Sequence, residues 1–395
     1  MRNAAPVLSV LLTSGLLLAQ GYTTDFEAFV ASATGTPCAG QDGFYIPAVA
    51  GSIDGNLHTY AGNSLGVPVN PNGGANFWGG LSAGNTAFAR SQRALTLPSG
   101  RIRVEHDICC GYLGAAVTPT NNLGSFSFQP STNSIYVNVV AAYTPSTVFP
   151  PATWEVLTVS RGATPPGTLT AVVPDPAFQG LPLGVWHRWG FTADFTTQTY
   201  VDFSITNGVT GITTVWVPPT PMLLPVAPAI GAPLPTDFRL FCGGTTAGNV
   251  FAVDNLTITE AAEYTTFGAG CPGALGVPVL AATSVPKVGQ TLNVTVNNMP
   301  VNLGIMITGL SNTLFGGAIP LPLPLAGQGF PGCDLLVDLL TTDTMLGIGG
   351  TGTWSLAIPP SNTLIGFTLY NQGAVLDTGA AFLAFSNGGR GRVGL

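Results

Sequence analysis

Two carboxylates in the segment 101–110 carry the clearest candidate chemistry of the sequence. Glu105 and Asp107 are separated by one residue, so an extended strand places both on one face with Cα atoms about 7 Å apart. Paired carboxylates flanking a glycosidic bond can act as acid and base or as a nucleophile. Arg101 and Arg103 share this face, so a salt-bridged ladder explains the same residues. Three alternatives follow: a structural ladder, a sugar-contact surface of Arg103, Glu105 and Asp107, or a catalytic pair.

Other motifs offer weaker chemistry. Trp78, within the Gly-rich segment 70–80, is a candidate surface aromatic that could stack on a sugar ring. Residues 80–84 match GxSxG, but the helix that should follow a serine nucleophile is not predicted. Residues 347–352 match GxGxxG, but a strand follows them, so a dinucleotide site is not expected.

Asp254 stands in an apolar row of the predicted strand 249–259, between Val250 and Ala252 on one side and Leu256 and Ile258 on the other. An acid in such a row is costly unless it is hydrogen-bonded or paired with a metal. Asp25 and Glu27 lie at the opposite end of the same segment, and carboxylate oxygens suit Ca²⁺. One expectation is a structural calcium bound by Asp25, Glu27 and Asp254. The alternative is an Asp254 that accepts backbone N–H bonds at a bulge. No cofactor is expected to be required.

The even number of cysteines suggests disulfides in an exported chain. If the chain divides into domains of residues 22–260 and 265–395, Cys271 and Cys333 are the two cysteines of the second domain and are expected to pair. Adjacent positions on a strand point to opposite faces, so Cys109 and Cys110 are expected to have different partners. Those partners are Cys38 and Cys242, in an order that the sequence leaves open. Zinc is not expected, because no CxxC spacing occurs and the histidines are distant.

The composition determines which elements can position these residues. The chain has 395 residues with 52 Gly and 33 Pro, only 7% are charged, and Lys287 is the single lysine. Helix surfaces are normally built from Lys, Glu, Arg and Gln, so an α-rich fold is not expected. Thr, Val, Gly, Pro and Asn favour strands joined by tight turns. A net charge of −7 without a basic cluster argues against nucleic acid as a partner.

The first 21 residues are typical of an export signal. Arg2 precedes the apolar stretch 7–19, and small residues follow at a cleavage position. No later segment gives the run of about 18 apolar residues that a transmembrane helix requires. We therefore expect no transmembrane segment and a location outside the cytoplasm, either secreted or at the cell surface.

Two β domains are predicted after the signal. Residues 22–260 carry many short strands, among them 186–195 and Tyr200–Thr206, separated by Asn/Gly turns. In Tyr200–Thr206 a period of two places Val201, Phe203 and Ile205 on one face, with Tyr200 and Asp202 on the other. Residues 265–395 form a second domain, in which 291–296 alternates in the same way. The expected fold is all-β, an antiparallel jelly-roll sandwich followed by a second, smaller β-sandwich domain.

The first domain resembles a known superfamily. Four groups of residues carry the resemblance: Thr24–Glu27, Gly40–Phe44, Trp186–Trp189, and Asp237–Phe241 with Gly248–Leu256. Over residues 22–260 they resemble concanavalin A-like, laminin-G-like jelly-roll domains of exported bacterial proteins. That superfamily includes lectins, carbohydrate-binding modules, glucanases and lyases. Its glucanases carry Glu-x-Asp-x-x-Glu on one strand, whereas this chain has Cys110 in the third position, so a complete catalytic set is missing.

The second domain resembles an uncharacterised C-terminal domain of exported proteins from planctomycete-like bacteria. The residues that carry this resemblance are Phe267–Pro272, Pro331–Cys333, Tyr370–Gln372 and Asp377. A terminal module shared by diverse proteins implies sorting, anchoring or stabilisation.

The leading hypothesis is an exported two-domain protein whose first domain binds a glycan or another extracellular polymer without catalysis. The low charge suits a neutral polysaccharide better than a polyanion. One alternative is a jelly-roll glycosidase or polysaccharide lyase with an unrecognised site. Another is a structural cell-surface or matrix protein without a small ligand.

Overall fold

The structure is a computed structural model. It describes residues 21–84, 86–97, 100–114, 122–129, 135–144, 153–161, 168–225, 234–244, 247–379 and 382–395. The described chain divides into two compact units, residues 21–259 and 260–395. The export signal predicted at residues 1–21 lies outside the described residues, apart from Gly21.

Short strands make up most of the first unit, as the turn-rich sequence predicts. They are, in chain order, β1 (Tyr22–Thr24), β2 (Thr36–Pro37), β3 (Phe44–Tyr45), β4 (Ser52–Ile53), β5 (Asn56–Thr59), β6 (Asn76–Ala83), β7 (Phe88–Ala94), β8 (Arg101–Tyr112), β9 (Gly124–Gln129), β10 (Val137–Tyr143), β11 (Thr153–Arg161), β12 (Thr168–Val172), β13 (Leu181–Pro182), β14 (Trp186–Asp194), β15 (Thr199–Thr206), β16 (Thr213–Trp216), β17 (Met222–Leu223), β18 (Asp237–Cys242) and β19 (Ala247–Glu260).

These strands form two sheets. In the described part of the chain, ten strands form the first sheet in the order β16-β15-β14-β8-β19-β6-β5-β2, with β1 beside β19 and β17 beside β15. Nine strands form the second sheet in the order β12-β11-β10-β9-β18-β7-β3, with β13 beside β11 and β4 parallel to β7. One core, which includes Phe126, Trp154, Phe191 and Phe251, contains side chains from both sheets. The predicted antiparallel β-sandwich is confirmed.

The long strand β8 has the two faces that its alternation predicts. Ile102, Val104 and Ile108 lie in the main core. The intervening side chains lie on the other face, where Cys109 packs in a smaller cluster with Trp186. This division leaves the charged side chains of β8 on the outer face of the ten-stranded sheet.

The alternation predicted for Tyr200–Thr206 is wrong at its start. A register shift between β14 and β15 pairs Thr192 with Asp202 and Ala193 with Tyr200, so Val201 is passed over. Tyr200 therefore joins Phe203 in the main core instead of facing outward with Asp202. An extra residue on one strand of a pair changes the face of every side chain on one side of it.

The second unit is a smaller antiparallel β structure with its own core. Its strands are β20 (Glu263–Phe267), β21 (Leu280–Ala282), β22 (Thr291–Val296), β23 (Leu303–Gly309), β24 (Leu314–Phe315), β25 (Ile319–Pro320), β26 (Leu323–Pro324), β27 (Asp334–Leu335), β28 (Thr341–Ile348), β29 (Thr351–Ala357), β30 (Thr368–Asp377) and β31 (Phe382–Arg392). Eight of them form a sheet in the order β20-β31-β30-β23-β28-β29-β22-β21. Leu292, Val294 and Val296 lie in its core, as the alternation predicts.

Helices contribute little to the described chain. Three short 3₁₀ helices occur at Pro176–Phe178, Ala326–Gln328 and Asn362–Leu364. Within the described ranges, no helix is long and apolar enough to cross a membrane.

The predicted disulfide of the second unit is confirmed and those of the first unit are wrong. Cys271 and Cys333 are joined, with a Cα–Cα distance of 4.9 Å. The other four cysteines are buried free thiols: Cys38, Cys109, Cys110 and Cys242. Burial raises the pKa of Cys109 to about 12, so its thiol stays protonated. Cys109 and Cys110 do point to opposite faces, but each packs as a small apolar side chain.

Candidate functional site

Polar side chains of neighbouring strands meet on the outer face of the ten-stranded sheet. Strand register places Arg188 of β14 opposite Asp107 of β8, and Thr192 opposite Arg103. Asp202 of β15 lies opposite Thr192 on the other side. The strand pairing thus assembles charged groups that are far apart in the sequence.

Arg103 is held inside this network. Its Nε donates to Oε1 of Glu105 at 3.1 Å, and its Nη1 donates to Oδ1 of Asp202 at 2.5 Å. Nη2 donates to the hydroxyl of Ser204. Only 6% of Arg103 is exposed. The guanidinium predicted as a sugar contact is therefore committed to neighbouring protein groups.

Arg188 binds both candidate catalytic carboxylates. Its Nη2 lies 3.0 Å from Oε2 of Glu105, and its Nη1 lies 3.2 Å from Oδ1 of Asp107. Burial by itself would raise the pKa of Glu105, but the positive charges of Arg103 and Arg188 outweigh burial and lower it. Glu105 is therefore a stable carboxylate without a proton to donate near neutral pH. The predicted salt-bridged ladder is present, and its second cation comes from the adjacent strand.

Asn70 joins Asp107 to a second buried acid, Asp254. Its Nδ2 donates to Oδ2 of Asp107 at 2.9 Å and to Oδ2 of Asp254 at 3.1 Å. Tyr60 also donates to Oδ2 of Asp254, at 2.7 Å. Burial raises the pKa of Asp254 to about 6, although the donated hydrogen bonds oppose the rise. The amide thus bridges two carboxylates that would otherwise repel each other.

A left-handed residue within strand β19 places hydrogen-bond donors beside Asp254 and Asp107. Asn255 has a left-handed backbone, with φ of 49°. Its N–H donates to Oδ1 of Asp254 at 2.7 Å, and its Nδ2 donates to Oδ2 of Asp107, also at 2.7 Å. Beyond this residue the alternation changes, since Leu256 joins the main core and Thr257 faces outward. The predicted row that continued from Asp254 through Leu256 is therefore wrong, and Asp254 accepts the backbone N–H of Asn255.

An open cleft of about 630 Å³ lies beside this network. Hydroxyl, amide and charged groups line it: Thr23, Thr24, Asp25, Asn72, Asp107, Arg188, Asn255 and Thr257. Asp107 is the predicted sugar-contact residue in this lining. Arg188 keeps 34% of its side chain exposed, so its guanidinium remains accessible at the cleft.

Trp78 is not a surface aromatic, contrary to the prediction. It lies in β6 and is fully buried in the main core, where its ring packs edge-on against Phe251 at 6.5 Å. Its Nε1 donates to Oγ of Ser91 at 2.9 Å. The Gly-rich turn ends before Asn76, where β6 begins, and the side chain of Trp78 in β6 points into the core.

The three predicted calcium ligands have separate protein partners. Oε1 of Glu27 accepts the backbone N–H groups of Ala75 and Asn76, at 2.7 and 2.8 Å. Asp25 lines the cleft and accepts the backbone N–H of Glu27 at 3.1 Å through Oδ1, and Asp254 lies beneath residues 70–73. Among the residues that the structure describes, no group of three or more His, Cys, Asp or Glu side chains is arranged to hold a metal ion. Calcium binding stays a prediction.

Several residues of the site were not predicted. Arg188 could have been placed from the alternation of Trp186–Trp189, which puts it on the same face as Trp186. Asn72 carried only a turn signal in Asn72-Gly73-Gly74. The bridging role of Asn70 has no sequence signal, because it depends on how one loop lies over two strands.

No family model matches the sequence, and no curated protein matches it. Three solved structures illustrate its structural likenesses. The cellulose-induced protein Cip1 has a TM-score of 0.35 and 13% identity, over 61% of this chain and 97% of that chain. An endo-β-1,4-glucuronan lyase from the fungus Trichoderma reesei has a TM-score of 0.33 and 12% identity, over 58% of this chain and 94% of that chain. An alginate lyase from Alteromonas sp. 272 has a TM-score of 0.28 and 9% identity, over 51% of this chain and 93% of that chain. These scores are low, and the fold assignment rests on the strand order described above.

Proposed function

We propose that the first unit binds an uncharged glycan in this cleft without cleaving it. The observation that carries the proposal is the accessible lining of hydroxyl, amide and ion-paired groups, among them Thr23, Asn72, Arg188 and Asn255. Sugar hydroxyls both donate and accept hydrogen bonds, so such side chains can satisfy them in a few fixed directions. The disulfide between Cys271 and Cys333 supports a place outside the cytoplasm.

The carboxylate oxygens of Glu105 and Asp107 already accept hydrogen bonds from protein groups, which supports binding without catalysis. Both oxygens of Glu105 accept from guanidinium groups. Asp107 accepts from Arg188, Asn70 and Asn255, and only 1% of it is exposed. A glycosidase needs one protonated acid and one carboxylate that can reach the sugar or a water. Neither residue meets that requirement.

The local charge supports an uncharged ligand. The carboxylates of the cleft and of the polar network beside it are Asp25, Glu105, Asp107, Asp202 and Asp254, and the guanidiniums there are Arg103 and Arg188. Carboxylates therefore outnumber cations, and a polyanionic chain would meet net repulsion. A neutral polysaccharide meets no such barrier.

A panel of soluble neutral and acidic polysaccharides tests the proposal by affinity electrophoresis. We expect retardation by at least one neutral polymer, loss of retardation in Thr23→Arg, and unchanged retardation in Thr213→Arg. Both threonines are exposed on short strands of the same sheet, but Thr23 lines the cleft and Thr213 does not. Each gel is run with calcium and with a chelator, because a calcium requirement would show as loss of binding in the chelator. No retardation by any neutral polymer would overturn the proposal and favour a structural role.

A glycosidase is the second candidate, because Asp25, a carboxylate outside the salt-bridged ladder, lines the open cleft. If the protein releases reducing ends from a retarding polymer, and Asp25→Asn abolishes the release without changing retardation, catalysis replaces simple binding. Unsaturated products would instead indicate a lyase.

A further inference from the structure

The loop between β15 and β16 contains an Asn–Gly pair whose reactive atoms are held by protein groups. The backbone N of Gly208 donates to Nδ1 of His187 at 3.1 Å. Oδ1 of Asn207 accepts the backbone N–H groups of Val209 and Thr210, at 2.9 and 3.3 Å. The side-chain carbonyl is thus polarised by two donors, while the next backbone nitrogen faces a base.

We propose that Asn207 is a self-modification site, at which the backbone nitrogen of Gly208 attacks the side-chain amide of Asn207 with His187 as general base. The product is first a five-membered succinimide and then an aspartate or isoaspartate at position 207. This reaction is independent of the proposed glycan cleft and needs no ligand.

Atoms and electrons balance with water as the co-reactant. The proton of Gly208 N moves to Nδ1 of His187 as the nitrogen forms a bond to Cγ of Asn207. The Cγ–Nδ2 bond breaks, its electron pair leaves with Nδ2, and His187 returns the proton, so ammonia departs. Water then adds to either carbonyl of the ring and opens it. No oxidant or reductant takes part.

The arrangement matches what such a reaction requires. A general base must lie within hydrogen-bond reach of the proton that it removes, and 3.1 Å meets that condition. Two N–H groups on Oδ1 stabilise the negative charge that develops as Cγ becomes tetrahedral. Burial lowers the pKa of His187 to about 4, so the imidazole is neutral at pH 7 and can accept the proton, though it is a weak base.

The position also requires glycine, which leaves the nucleophile unhindered. A Cβ on Gly208 would lie 1.7 Å from the carbonyl oxygen of Trp186. The packing that excludes a side chain therefore also maintains the most reactive kind of residue pair at this point of the loop.

Two other Asn–Gly pairs of the chain provide internal controls. The N–H of Gly73 donates to the carbonyl oxygen of Asn70 at 3.1 Å, which is not a base. Gly388 lies within β31, paired with Phe267 on one side and Gln372 on the other. Asn72 and Asn387 therefore precede nitrogens that face no imidazole.

The test compares the folded and urea-unfolded full-length protein during incubation at one neutral pH and temperature. Trypsin releases residues 189–239, in which Asn207 is the only asparagine and Gln198 the only glutamine, so fragment ions that separate the two positions assign an amide-to-acid mass gain to Asn207. Isoaspartyl methyltransferase labelling confirms the succinimide route. We expect conversion at Asn207 to be about tenfold faster folded than unfolded, below what a well-matched general base contributes. We expect Asn72 and Asn387 to be slower folded than unfolded.

The variant His187→Gln can still accept the N–H of Gly208 but is not a base. We expect its folded conversion at Asn207 to fall about tenfold, to the unfolded rate. Equal folded and unfolded rates in the wild type would overturn the proposal, as would a folded His187→Gln protein that converts at the wild-type rate. If the variant fails to fold, the wild-type ratio alone decides.

Discussion

Arg188 connects the two acids of β8 to the rest of the sheet. Sequence alternation predicted the face shared by Arg103, Glu105 and Asp107, and the structure has that face. The cation that pairs with both acids comes from β14, and the register of β14 against β8 is set by packing along both strands. Alternation predicts the face of a side chain, but not its neighbour on the next strand.

Removing Arg188 should leave Glu105 and Asp107 with too few donors. We expect Arg188→Ala to lower the free energy of unfolding of the first unit by about 2–3 kcal/mol, since Asp107 is buried. Arg188→Lys keeps the charge but cannot reach two carboxylates with a planar fork, so we expect a loss of about 1 kcal/mol. Urea unfolding of the three proteins measures both values. Equal stability of all three would show that solvent already satisfies the two acids.

His106 makes the stability of the first unit depend on pH. It is fully buried beside Trp189, and burial together with the charge of Arg188 lowers its pKa well below the ordinary value. The unfolded chain therefore binds the proton first, near pH 6.5, and the free energy of unfolding falls as pH decreases below that value. Above pH 6.5 the histidine is neutral in both states and contributes no pH dependence.

The variant His106→Gln isolates this effect. We expect the stability difference between wild type and variant to shrink by about 1 kcal/mol when the pH is lowered from about 7.5 to 5.5. Urea unfolding at the two pH values measures the change. A constant difference would mean that His106 titrates alike in both states. Other groups, such as Asp254 with its raised pKa, affect both proteins equally and cancel.

At the scale of elements, the segment 70–76 covers the buried acids of the site. Asn70 bridges two acids, and the backbone of Gly73 packs directly on Asp254. Composition indicated a turn here, and the turn exists. Its role as a cover for buried acids could not be predicted, because it depends on contacts between residues almost two hundred positions apart.

Gly73 tests that role. A Cβ at this position would lie 2.2 Å from Oδ2 of Asp254, which Tyr60 and Asn70 hold in place. We expect Gly73→Ala to lower the free energy of unfolding by about 1–3 kcal/mol and to weaken any glycan binding. Gly327→Ala is the matched control, because a Cβ there meets nothing within 4 Å and its backbone is not left-handed. Similar losses of unfolding free energy in both variants would show that the segment 70–76 does not need a glycine to fit against Asp254.

The strands themselves were largely predictable, and the exceptions have local causes. The predicted strand 249–259 exists as β19, but the left-handed Asn255 changes its outward face after Asp254. The predicted strand 186–195 exists as β14, and the extra residue Val201 in the facing strand β15 turns Tyr200 into the core. Single-residue irregularities leave strand composition unchanged, so periodicity alone cannot place them.

For the whole molecule, the composition correctly predicted an all-β chain, but cysteine parity did not predict the bonding. Six cysteines suggested three disulfides, whereas the structure has one, in the unit that includes Cys271 and Cys333. Free cysteine packs as well as a small apolar residue in a large core. The first unit contains a much larger hydrophobic cluster than the second, so its four thiols can be accommodated without cross-links.

Reduction should therefore affect the two units differently. The bond between Cys271 and Cys333 closes a loop with a sequence separation of 62, and the chain-entropy relation gives about 4 kcal/mol for a loop of that length. Each unit has its own core, so calorimetry of the whole protein should resolve two transitions. We expect a reductant, or Cys271→Ser with Cys333→Ser, to lower the transition of residues 260–395 by many degrees. The transition of residues 21–259 should stay fixed, since its cysteines are already thiols. A reductant-sensitive first unit would instead reveal a bond among Cys38, Cys109, Cys110 and Cys242, and mass spectrometry after alkylation would identify it.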